Sequence, residues 1–120
     1  MASLKDFTEK IIRFRDERDW KKYHTPKNLA ISLVIEVGEL FEHFQWKSDE
    51  IFENCKNPEI RERIGDELAD IVIYTLLLSN ELGIDLEKAI LEKIKKNEEK
   101  YPIELVKGNY KKYTELTRNE

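Results

Sequence analysis

The chain has 120 residues, enough for one domain, and at 40% apolar and 38% charged it holds too many Leu, Ile, Val and aromatic residues to be disordered. Its 25 acids against 21 bases leave a net charge of -4 with no basic block, which argues against nucleic acid as the main partner but not against a small anion at a local cationic site. A single cysteine, Cys55, excludes an intrachain disulfide and a cysteine-rich zinc site.

Ser3 and Asp6 are spaced as an N-terminal capping pair, and Leu4, Phe7, Ile11 and Phe14 recur at helical spacing, which predicts a first helix to about Arg18. Thr25-Pro26 reads as a cap followed by a first-turn proline and opens a second helix to about Trp46. "KSDEIFENCKN" is polar and broken, a connection with a short helical turn at Asp49–Phe52. Asn57-Pro58 opens a third helix to about Leu82. Gly83 suits its left-handed C-terminal position, Asp85 caps a fourth helix from Leu86 to Tyr101, and Pro102 closes it. Residues 103–120 lose the periodicity and read as an arm or tail on a domain spanning 1–102. No strand pattern, repeat or low-complexity tract occurs, so the predicted fold is all-α and four-helix-bundle-like. "MASLKDFTEK" is charged from Lys5 onward and matches no signal peptide, and no apolar run approaches the roughly 20 residues of a membrane span. A cytoplasmic protein without a membrane partner is expected.

The second helix carries an anomaly. Asn28, Ser32, Glu36, Glu39, His43 and Trp46 project into one narrow sector, while Leu29, Ile31, Leu33, Val34, Val37, Leu40, Phe41 and Phe44 fill most of the rest. The third helix repeats the design, with Arg63, Glu67, Asp70 and Tyr74 in one sector among Leu68, Ile71, Val72, Ile73, Leu76 and Leu77. An antiparallel pairing would bring Glu36, Glu39, Glu67 and Asp70 together in apolar surroundings, where mutual repulsion must be relieved by positive charge. One arginine is too little for four acids. Mg2+, or Mn2+ in its place, takes oxygen ligands and fits them better. A diiron carboxylate site would need Glu-x-x-His pairs. Glu39 is instead followed at that offset by Glu42, with His43 one residue further. The plain alternative is a non-enzymatic helical interaction module whose acids pair with Arg or Lys across an interface. Helices two and three are also apolar nearly all round, which predicts burial against a second copy in a homodimer.

"EVGEL" (Glu36–Leu40) followed by "GDELADIVIY" (Gly65–Tyr74) resembles the ExxE…ExxD signature of MazG-like, all-α nucleoside triphosphate pyrophosphatases. "RDERDWKKYHTPKNLAISLVIEVGELFEHFQW" (Arg15–Trp46) and "KIKKNEEKYP" (Lys93–Pro102) are most similar to the dCTP pyrophosphatase branch. The resemblance covers about Asp6 to Pro102. It implies Mg2+-dependent hydrolysis of a nucleoside triphosphate, dCTP among the candidates, to the monophosphate and pyrophosphate, in a homodimer or a homotetramer built from dimers. Relatives acting on dUTP or phosphoribosyl-ATP are the enzymatic alternatives. By position, the resemblance makes Glu36, Glu39, Glu67 and Asp70 catalytic metal ligands, sets Lys93 and Asn97 on the phosphates with Lys100 and Tyr101 as helpers, and encloses base or sugar with Trp20, Trp46 and Tyr74. Asn28 and His24 join the pocket. Lys93, Asn97 and Lys100 do share one face of the fourth helix, which without the resemblance would read as a solvated basic face. His43 and Cys55 receive no role.

Overall fold

A computed structural model describes residues 2–52 and 57–108. These fall into two compact units that divide between Ile84 and Asp85. The first unit holds α1 (Leu4–Glu17), a 3-10 turn at Lys21–Tyr23, α2 (Pro26–Glu42), a second 3-10 turn at Asp49–Ile51, and α3 (Pro58–Glu81). The second holds α4 (Leu86–Lys100) and a single helical turn, α5 (Ile103–Val106). No strand occurs among the described residues, so the all-α expectation is borne out.

Each of α1–α4 starts where a short polar side chain can take an orphan backbone N–H. Ser3 and Asp6 form a reciprocal capping box: Ser3 N–H donates to Asp6 Oδ2 at 2.9 Å, and Asp6 N–H donates to Ser3 Oγ at 3.3 Å. Thr25 Oγ1 accepts from Asn28 N–H, Asn57 Oδ1 from Glu59 and Ile60 N–H, and Asp85 Oδ1 from Lys88 N–H. Pro26 and Pro58 occupy first-turn positions, where their missing N–H costs nothing. α3 ends as predicted: Gly83 adopts φ +66° and Ile84 N–H returns to Ser79 O at 2.8 Å.

One expectation needs correction. α2 ends at Glu42, not near Trp46. His43–Trp46 form turns, and Trp46 takes φ +65°, a left-handed position where glycine is usual. Trp46 therefore leaves the α2 polar sector. Just past the helix end, Phe44 stacks on Phe52 with ring centroids 4.5 Å apart. α5 is a helical turn inside the stretch read as an arm or tail. Pro102, which closes α4, also serves as its N-terminal cap residue. The rest of that arm, residues 109–120, and Cys55 lie outside the described residues.

α3 packs against both α2 and α1. Its partners on α2 are met in reverse order: His43 faces Glu67, Glu36 faces Asp70, and Ser32 lies beside Tyr74. The two helices are thus antiparallel, as the facing stripes require. Among the described residues the buried apolar core is small: Leu29 from α2 with Leu76 and Leu77 from α3. Phe7, Ile31, Val34, Ile35, Phe41, Leu68 and Val72 remain exposed. Among them, Phe7, Leu68 and Val72 line an apolar groove of about 550 Å3 between α1 and α3.

Candidate active site

The apolar walls of α2 and α3 hold the acidic stripes against each other. Glu36, Glu67 and Asp70 each offer a carboxylate oxygen, and these oxygens lie within 4.8 Å of one another. Glu39, one turn along α2, hydrogen-bonds the Glu36 side chain. Oε2 of Glu36 and Oε2 of Glu67 are buried and have no hydrogen-bond partner. Leaving such an oxygen unsatisfied is costly. Among the described residues no Lys or Arg forms an ion pair with these acids. Arg63, the base in their sector, turns away and donates to Glu59 at 2.6 Å. His43 Nε2 approaches Glu67 Oε1 at 3.5 Å. A trio of oxygen ligands with two orphan atoms and no organic cation fits a hard divalent ion.

Glu36 records the strain of this arrangement. Burial, then the hydrogen bond and charge of Glu39, then Glu67 and Asp70, push its carboxyl up to about 7 from an ordinary value of 4.5. A carboxyl raised on folding contributes stability that is complete below the unfolded value and is lost as pH rises through the folded one. The metal-free protein is therefore expected to melt at progressively lower temperature as pH rises from about 4.5 through about 7. Glu36→Gln should flatten that dependence. Thermal melts in chelator across this range check both statements.

Beside the acids lies a cavity of about 420 Å3, within the range of small-molecule sites. Glu36 and Asp70 form part of its wall; Tyr74, Ile73 and Leu77 from α3, Lys10, Ile11, Phe14 and Arg15 from α1, and Trp20 and His24 from the α1–α2 connection form the remainder. Trp20 packs edge-on to Phe14 with centroids 5.8 Å apart. Burial and the neighbouring Glu36 and Asp70 charges raise the Tyr74 hydroxyl, partly offset by Ser32 beside it. So Trp20, His24, Tyr74, Glu36 and Asp70 share one cavity, with Glu67 and Glu39 beside it.

Other sequence candidates lie elsewhere. Asn28 is exposed, donates Nδ2–H to Tyr23 O at 3.1 Å, and is absent from the wall. Trp46 is 94% exposed and also absent from it. In the second unit, Lys93, Asn97 and Lys100 are exposed on α4, and Tyr101 follows its last residue. Lys93 and Asn97 line a shallow depression on α4 with Leu86, Ala89, Ile90 and Ile94. Conversely, Lys10 and Arg15 line the cavity, and His43 touches Glu67, without having been singled out from the sequence. Arg15 did leave a signal: it stands four residues after Ile11, on the apolar face of α1.

The model of the MazG-like family matches residues 31–116, a span that contains all four acids. The chain belongs to the MazG-like family. It is 41% identical over 117 residues to dCTP pyrophosphatase 1 of Rattus norvegicus, covering 97% of this chain and 69% of the relative. The Homo sapiens protein of the same name is 41% identical over 115 residues, covering 95% of this chain and 68% of the relative. A crystal structure of a pyrophosphatase from Archaeoglobus fulgidus superposes with a TM-score of 0.74 at 43% identity, over 85% of this chain and 94% of that one. The expectation of a nucleoside triphosphate pyrophosphatase is borne out by this MazG-like chain's relatives. No helix among the described residues is long and apolar enough to cross a membrane.

Proposed function

We propose that this MazG-like chain hydrolyses dCTP between its α and β phosphates, giving dCMP and pyrophosphate, with Mg2+ held by Glu36, Glu39, Glu67 and Asp70. The observation that carries the reading is the trio of carboxylates within 4.8 Å, two of them with buried orphan oxygens, beside a cavity lined by Trp20 and Tyr74. Mn2+ is the expected substitute. Held by these acids, Mg2+ would supply positive charge against the triphosphate and a coordination site for the attacking water. Glu39 is our choice for accepting that water's proton, because it is hydrogen-bonded to Glu36 but stands outside the close trio. Trp20 offers a face for the base, and Tyr74 a hydroxyl for the sugar. The phosphate roles of Lys93, Asn97, Lys100 and Tyr101, and the pocket roles of Asn28 and Trp46, rest on the family resemblance. The names of the relatives favour dCTP over dUTP or phosphoribosyl-ATP.

Pyrophosphate and monophosphate release across a nucleotide panel, with and without Mg2+, tests this. The expected result is metal-dependent release of both products, fastest from dCTP. Release of orthophosphate, or no turnover of any nucleotide, would contradict it.

The assembly belongs to the same proposal. Among the described residues the buried apolar core is three leucines, while α2 alone leaves Ile31, Val34, Ile35 and Phe41 exposed. Exposed apolar surface of this kind is characteristic of an interface. We infer a homodimer through these helices and, from the resemblance, a tetramer of two such dimers. Light scattering at low micromolar concentration should find the active species at a multiple of 14.4 kDa. A stable, active monomer would refute this assembly.

A further inference from the structure

The cavity wall beyond the acids holds a group that the reaction leaves unexplained. Arg15 is only 4% exposed. Its Nε and Nη2 lie 2.9 Å from Asp16 Oδ1, and Nη1 donates to Glu81 Oε1 at 3.0 Å. A guanidinium has five N–H groups. Among the described residues one N–H on each terminal nitrogen meets no protein partner, and the side chain lines the cavity. Close by, His24 Nδ1 is buried and equally unpartnered. Burial and the Arg15 charge hold His24 below its ordinary pKa, so its ring is neutral near pH 7. Trp20 lies on the same wall.

A phosphate would be the first guess for a buried arginine. The charge count opposes it: Arg15 is already paired with two carboxylates, Asp16 and Glu81, and the wall sets Glu36 and Asp70 against Lys10, so the cavity lacks the positive excess an anion needs. A neutral, planar, polar ligand suits it better. Two donors on adjacent nitrogens call for two neighbouring acceptors, and His24 Nδ1 in its acceptor tautomer calls for a donor beside them. Cytosine presents that edge, with O2 and N3 as acceptors and the N4 amino group as donor. Uracil and thymine place an N–H between two carbonyls, which sets donor against donor.

Resting on the pyrophosphatase reading, we propose that Arg15, oriented by Asp16 and Glu81, reads the O2 and N3 edge of a cytosine base stacked on Trp20, and that His24 accepts from its amino group. Arg15 is then the specificity-determining residue, and Glu81 a positioning residue. A bidentate arginine contact of this kind discriminates against the wrong base by about 10-fold or more.

Calorimetry of the full chain in Mg2+ with dCMP and with dUMP tests the inference without requiring turnover. The wild type should bind dCMP at least about 10-fold more tightly than dUMP, and Arg15→Lys, which keeps the charge but loses the fork, should bring the ratio below about 3-fold. Should Arg15→Lys not fold, the double variant Arg15→Met/Glu81→Leu replaces the ion pair by apolar groups of similar volume, an exchange that proteins often tolerate. The same collapse of the ratio is expected from it. A purely structural Arg15 would weaken both ligands equally and leave the ratio unchanged, which would overturn the proposal. So would equal binding of the two ligands by the wild type. Failure of the pyrophosphatase reading shows separately, as absence of pyrophosphate release from every nucleotide in the panel.

Discussion

Asp70→Asn is expected to lower pyrophosphate release by more than about 100-fold while leaving the helical content unchanged. The substitution preserves shape and removes one negative charge from a trio of oxygens within 4.8 Å. In the absence of metal the variant should be at least as stable as the wild type, because repulsion on the half-buried Glu36 is relieved. Steady-state kinetics with circular dichroism reads both effects. Full activity in Asp70→Asn would remove that residue from the metal site. Glu39→Gln should also abolish turnover, through loss of the proton acceptor as well as of a ligand charge.

Trp20→Ala is expected to weaken substrate binding by roughly 1–3 kcal/mol, a rise of about 5- to 150-fold in KM with a smaller change in kcat. Trp20 lines the cavity, and its ring meets Phe14 edge-on, so a face remains for a base. Trp46 provides the internal comparison. At 94% exposure it has little packing to lose in the single chain, so Trp46→Ala should change the chain's own stability by no more than about 0.5 kcal/mol. Thermal melts of both variants alongside the kinetics keep packing effects apart from binding effects. If Trp20→Ala left KM unchanged, the base would have to stack elsewhere.

What could be read from the sequence was local or periodic. The caps at Ser3, Thr25, Asn57 and Asp85 and the left-handed Gly83 each depend on a few neighbouring residues, and each occurs as expected. The acidic stripes were legible because a carboxylate inside an apolar helix needs a reason, and helical periodicity aligned Glu36 with Glu39 and Glu67 with Asp70. What stayed hidden depended on contacts far apart in sequence. α2 stops early beside the stacking of Phe44 on Phe52, and no glycine or proline marks Trp46 as the left-handed position. Arg15 looked like one more charge on an amphipathic helix. Its burial becomes intelligible only with Glu81, which α3 supplies from 66 positions along the chain. His43 likewise acquires significance only once α3 brings Glu67 to it.

The claim on which the account rests is that the acids on α2 and α3 hold a divalent ion. Paramagnetic resonance of added Mn2+ tests it without reference to any substrate. The wild type is expected to deplete the free aqueous Mn2+ signal in a saturable manner, Mg2+ to restore the signal by competition, and Glu36→Gln and Asp70→Asn to leave it largely intact. A wild type that leaves the free Mn2+ signal undiminished, or double loss of Glu36 and Asp70 with binding unchanged, would contradict the account.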